Sequence, residues 1–97
     1  MFTRLTPHFF ENENGESLDY AWSMRQVWIT YRKDGRAASV EGETGPGMAV
    51  GIFAISIRSW LEPHASNPFE DSDRARILEC VEETLGAMGI QMLTEKD

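Results

Sequence analysis

The chain has 97 residues, of which 41% are hydrophobic, and this length suits one domain with one modest core. Sixteen acidic residues oppose nine basic ones, so the formal net charge is −7. Such a charge repels phosphates and disfavours direct binding to nucleic acid, whereas it attracts a basic protein partner. The single cysteine, Cys80, excludes an intrachain disulfide.

The N-terminal sequence predicts no targeting segment. Residues 1–16 lack the apolar run of roughly 7–15 residues that a signal peptide requires. No stretch of the chain approaches the run of about 18 apolar residues that spans a membrane. We therefore expect a cytoplasmic protein that makes no membrane contact.

The first half of the chain predicts an irregular arm followed by a β-hairpin. Residues 1–18 end in a polar, turn-rich run, which indicates an extended arm and a loop. Apolar and polar residues alternate from Gln26 to Tyr31, as is typical of a strand. The pair Asp34-Gly35 predicts a tight turn, because glycine tolerates the positive φ that such a turn requires. The return strand is expected at residues 36–41.

The second half predicts a loop, a hydrophobic strand and a helix. Three glycines and a proline make residues 42–47 a connecting loop, and their spacing matches no phosphate-binding motif. Residues 48–61 are the most hydrophobic run and predict one long strand, or two with a kink at Gly51. Acidic residues then favour a helix start near residue 70, and apolar residues recur at helical spacing up to a C-cap at Gly89.

These elements predict an α+β fold. We expect a small two-layer sandwich, in which an antiparallel sheet of three to five strands packs against one long C-terminal helix. A short final strand is expected at residues 90–93. Residues 1–24 are expected to form an N-terminal arm or extension, and residues 25–97 a single α+β domain.

The sequence offers no pattern that indicates catalysis, a metal or a cofactor. His8 and His64 are the only histidines, whereas a metal site needs three or four suitably spaced ligands. Cys80 falls on the apolar side of the predicted helix, as a buried structural cysteine does. Glu41 and Glu43 lie at a strand end beside a glycine loop, where active-site acids occur, but such pairs arise by chance in so acidic a chain.

Several short segments follow one another in a recognisable order and spacing over about residues 26–93. They are Gly42-Glu43, Ser56-Ile57-Arg58-Ser59-Trp60, Pro63-His64, Arg74-Ala75-Arg76-Ile77-Leu78 and Gly89-Ile90. In these segments the chain resembles a family of bacterial polymorphic-toxin immunity proteins, immunity family seventy-four. Residues 1–24 have no counterpart in this resemblance, and residues 25–97 then correspond to an immunity-like domain.

The resemblance implies a protein without catalytic activity or cofactor that binds and neutralises the C-terminal domain of a cognate bacterial toxin. A nuclease with a basic cleft is one toxin class that the negative charge would suit. The protein could act as a monomer or as a homodimer. We expect its partner-binding residues at exposed acidic and aromatic loop positions, which are Glu41, Glu43, Trp60, Glu62 and His64.

Two alternatives from other functional classes stay open at this point. A small-ligand-binding or regulatory domain would require a defined apolar cavity between the sheet and the helix. A small enzyme that uses Glu41, Glu43 and His64 would require these three side chains to converge in one cleft.

Overall fold

A computed structural model describes residues 1–95 of the chain. These residues form seven strands, one α-helix and one short 3₁₀ helix. The elements in chain order are β1 (Thr3–Thr6), β2 (Phe9–Glu11), β3 (Ser17–Ser23), β4 (Gln26–Lys33), β5 (Arg36–Thr44), β6 (Ala49–Phe53), the 3₁₀ helix (Ala54–Ser56), α1 (Asp71–Ala87) and β7 (Gln91–Glu95).

All seven strands belong to one mixed sheet, in which the order in space equals the order in the chain. Neighbouring strands from β1 to β6 pair antiparallel, whereas β7 pairs parallel to β6 after α1 has carried the chain back along the sheet. The sheet curls into a half-barrel with one helix. The predicted fold class, a two-layer sandwich with an antiparallel sheet of three to five strands, is therefore wrong, because the sheet is larger and mixed and makes up most of the structure.

The additional strands come from the N-terminal part of the chain. β1 and β2 have only four and three residues, too few for an alternating pattern to be visible in the sequence. This part of the chain still joins the core, because Phe2 just before β1 and Phe10 of β2 are buried, although the residues of β1 itself are exposed. A turn at Met24, with φ of 55°, separates β3 from β4, so the run from Asp19 to Tyr31 forms two paired strands.

The β4–β5 hairpin confirms the predicted turn. Asp34 and Gly35 have φ values of 54° and 78°, the positive values that a two-residue hairpin turn needs. The next predicted strand is shorter than expected, since β6 ends at Phe53. Beyond Phe53 the Ser56 hydroxyl replaces the strand backbone as a hydrogen-bond partner of β5. It accepts a hydrogen bond from the Glu41 N–H (2.9 Å) and donates one to the Phe53 carbonyl (2.6 Å).

Helix α1 confirms the predicted C-terminal helix, and side-chain and backbone contacts fix both of its ends. A capping box joins Glu70 to Asp73 at the first turn. At the other end Gly89, with φ of 76°, follows the helix, and the Ile90 N–H donates to the Leu85 carbonyl (2.9 Å) in a Schellman motif.

The core lies between α1 and one face of the sheet, which we call the inner face. It buries apolar side chains from five of the strands, β2 to β6, and from the helix, together with Phe2 before β1 and Ile57 and Trp60 from the connecting loop. The opposite face, which we call the outer face, carries the alternate residues of the same strands. Its side chains on the central strands remain exposed or half-buried.

Candidate functional site

The centre of the outer face is a row of cross-strand neighbours. Trp28 of β4 pairs with Glu41 of β5, and Glu41 pairs with Phe53 of β6. Trp28 is 38% exposed, Glu41 is exposed and Phe53 is half-buried. An aromatic ring and a carboxylate thus lie side by side on a surface that the helix does not cover.

One register step along the strands, the outer face has a groove. Glu43 pairs with Gly51, and Gly51 pairs with Leu93 of β7. Because Gly51 has no side chain, a depression of about 290 Å³ opens between Glu43 and Leu93, bounded by Arg25, by Thr44 at the end of β5 and by loop residues Gly45 and Pro46. This cavity lies on the outer face and not between the sheet and the helix, where the ligand-binding alternative required one.

The structure buries Trp60, so the expectation that its side chain is exposed on the loop is wrong. Its side chain is 3% exposed, and its indole N–H donates to the Pro68 carbonyl (3.1 Å). Its ring packs against Tyr31 and Phe69, and the Arg36 guanidinium lies 4.4 Å from its centroid. Trp60 anchors the loop to the inner-face core.

The other predicted loop residues are separated from the groove. The Leu61 N–H donates to the Ala37 carbonyl (2.7 Å), which places the loop beside the start of β5. Glu43 lies six residues further along that strand, about 20 Å at roughly 3.3 Å per residue. Glu62 is exposed and His64 half-buried near the loop start. Glu43 and His64 therefore do not converge in one cleft, as the enzyme alternative required.

A second polar site is buried, and it links the N-terminal strands to the helix. Glu16, only 1% exposed, accepts hydrogen bonds from Arg76 (2.6 and 3.0 Å), Tyr31 (2.6 Å) and Asn12 (2.9 Å), and the Cys80 thiol lies 3.6 Å away. Burial by itself raises the pKa of Glu16, but the hydrogen bonds from Arg76, Tyr31 and Asn12 outweigh it and lower the pKa to about 2. The carboxylate is ionised, and both of its oxygens accept hydrogen bonds within the protein. This arrangement is typical of a structural role.

The thiol in this cluster is unreactive at neutral pH. Burial and then the neighbouring Glu16 carboxylate raise the pKa of Cys80 to about 12. Because the thiolate is the nucleophile and the metal ligand, a thiol that stays protonated serves neither role. Cys80 therefore packs as a small apolar residue, as its position on the helix predicts.

The described residues contain neither a group of metal ligands nor a helix that could span a membrane. Within residues 1–95 no three His, Cys, Asp or Glu side chains are grouped so that they could hold a metal ion. Over the same residues, α1 is neither long nor apolar enough to cross a membrane.

Sequence reasoning placed Glu41 and Glu43 in the site but missed the apolar residues beside them. The alternating pattern of β4 indicates that Trp28 lies on the exposed face of the strand. Trp28 shares that face with Thr30, whereas Val27 and Ile29 lie on the buried face. Leu93 could not be assigned in this way, because its position beside Gly51 depends on the parallel pairing of β6 with β7.

The fold and the site define a small sheet protein whose candidate functional residues lie on an open surface. The chain belongs to the family described as Immunity protein 74, whose sequence profile matches residues 24–95. This match confirms the resemblance to that immunity family seen in the sequence. No curated protein and no solved structure matches the chain.

Proposed function

We infer that the protein binds the C-terminal toxin domain of a bacterial polymorphic toxin and neutralises it in the cell that produces both. Membership of the immunity family is the observation that carries this inference. The outer face supplies a suitable surface, since it combines an exposed indole with two exposed carboxylates on rigid strands. Binding alone suffices for this function, because a bound protein excludes the substrate from the toxin's active site.

The charge of the chain favours a basic toxin. A net charge of −7 raises the association rate with a positively charged partner, and the effect weakens as salt screens it. Nucleases carry positive clefts for their substrates, so a nuclease domain is the toxin class that we favour. An inhibitor of this kind acts in the cytoplasm.

The test is co-expression with the C-terminal domain encoded by the gene directly upstream of this one, which we expect to be the toxin domain. We expect the two proteins to co-purify as a stoichiometric complex, and we expect the immunity protein to restore growth to cells that express the toxin domain. Expression of the toxin domain with a charge-matched unrelated acidic protein is the control. A toxic neighbour that neither binds this protein nor is neutralised by it would refute the proposed function.

A further inference from the structure

We propose that the groove beside Glu43 receives one cationic side chain, an arginine or a lysine, from the toxin surface. The row formed by Trp28, Glu41 and Phe53 is the contact area next to it. The proposal rests on the proposed function and adds to it the binding surface and the chemistry of the partner group.

The shape of the groove suits a long side chain with a charged end. Its volume of about 290 Å³ is at the small end of ligand pockets, which fits a side chain better than a separate molecule. The apolar wall is Leu93, which is 48% exposed, and the anionic wall is Glu43 across the gap left by Gly51. A methylene chain can therefore pack on Leu93 while its charged end reaches the Glu43 carboxylate.

The charges around the groove are available for a partner. Within residues 1–95 neither Glu41 nor Glu43 takes part in an ion pair, although other acidic residues of that part do. The Trp28 ring is also unoccupied by a cation in the described chain, whereas Arg36 covers Trp60 and Arg74 approaches Phe69. Two carboxylates and an open aromatic face together attract a guanidinium or an ammonium group.

Arg25 also bounds the groove and is the one feature that favours an anionic occupant. In the groove lining, Arg25 is balanced by the Glu43 carboxylate, and the second carboxylate, Glu41, lies on the adjacent row of the same face. The net charge of −7 on the whole chain also favours the binding of a cationic group over an anionic one. We therefore expect Arg25 to oppose binding, so that its replacement by glutamate leaves affinity unchanged or improves it.

The experiment measures the affinity of single variants for the purified upstream toxin domain by calorimetry. Glu43→Arg reverses the charge in the groove, and Leu93→Arg fills the groove with a cation. We expect each to weaken binding by about tenfold or more, as for a central contact of a protein interface. The matched control is Glu82→Arg, the same change at an exposed position on α1, for which we expect less than about a threefold effect.

A second matched pair tests the aromatic row. Trp28→Ala and Trp22→Ala remove indoles of similar exposure, 38% and 42%, from the outer and inner faces of neighbouring strands. We expect about tenfold weaker binding for Trp28→Ala only. Urea denaturation of each variant separates a folding defect from a binding defect, and Glu43→Gln replaces Glu43→Arg if the latter does not fold.

The outcomes distinguish this proposal from the proposed function. Failure of the wild-type protein to bind the toxin refutes both. If the wild type binds tightly and Glu43→Arg, Leu93→Arg and Trp28→Ala bind with unchanged affinity, the groove is not the binding surface. The proposed immunity function would still stand. If Arg25→Glu weakens binding and Glu43→Arg does not, the proposal of a cationic occupant is refuted, and the groove receives an anionic group instead.

Discussion

The buried Glu16 should make the stability of this protein depend on pH in a predictable range. Its pKa in the folded protein is about 2, compared with 4.5 for an ordinary glutamate, since hydrogen bonds from Arg76, Tyr31 and Asn12 overcome the effect of burial. A difference of about 2.5 pH units, at roughly 1.4 kcal/mol each, corresponds to about 3 kcal/mol of unfolding free energy. This is a large part of the total stability that a small domain has.

The direction of the effect follows from the lower pKa in the folded state. The stabilisation is fully present above pH 4.5 and is lost as the pH falls from about 4.5 towards about 2. We expect Glu16→Gln to lower the unfolding free energy by about 3 kcal/mol near neutral pH, and the difference from the wild type to shrink towards zero near pH 2. Urea denaturation followed by tryptophan fluorescence at a series of pH values measures both quantities.

Glu82→Gln is the control for the loss of one carboxylate, because Glu82 is exposed on α1. Its unfolding free energy should stay within about 0.5 kcal/mol of the wild type at every pH. If Glu16→Gln instead gives a stability curve parallel to that of the wild type, or equal stability at neutral pH, the assigned role of the buried carboxylate is incorrect.

Three further predictions concern the fold. Gly42→Ala should lower the unfolding free energy by about 1–3 kcal/mol in urea denaturation, because the added Cβ would lie 2.7 Å from the Gly51 carbonyl oxygen. The control is Gly86→Ala, which has open space around its Cβ and should leave stability unchanged or raise it by up to about 1 kcal/mol. Equal losses of stability in the two variants would contradict the steric argument for Gly42. A protein of residues 25–97 lacks β1 to β3 and should show no cooperative unfolding by circular dichroism, whereas a sharp transition would mean that this part is an independent domain. Cys80 should react with a thiol reagent only after denaturation, and rapid labelling of the native protein would contradict its high pKa.

Local sequence signals predicted the elements that depend on neighbouring residues. The turn at Asp34-Gly35 follows from the conformational freedom of glycine, and helix α1 follows from its acidic start and its apolar spacing. Glu41 and Glu43 were predicted to be exposed at a strand end and in the loop after it; both are exposed, but Glu43 lies on β5, which continues to Thr44. These features need no knowledge of distant parts of the chain.

The features that the sequence did not reveal depend on pairing between distant segments. The short strands β1 and β2 are stable only because β3 and the core accept them, so propensity alone does not predict them. The burial of Trp60 depends on Tyr31 and Phe69, which come from a different strand and from the start of the helix region. The hydrogen bonds of Glu16 likewise join a turn to a helix 60 residues later.

The groove on the outer face is assembled from distant parts of the chain, with Arg25 of the turn between β3 and β4 on one side and Leu93 of β7 on the other. Such a surface exists only in the complete fold, so any partner that occupies it binds the folded chain and not the unfolded one. Mass action then stabilises the folded state, by about 2.7 kcal/mol when the free partner is present at a hundred times its dissociation constant. Proteases that act on the unfolded chain would consequently remove the unbound protein faster than the bound one, so a partner that occupies the groove would lengthen the lifetime of the folded chain in the cell.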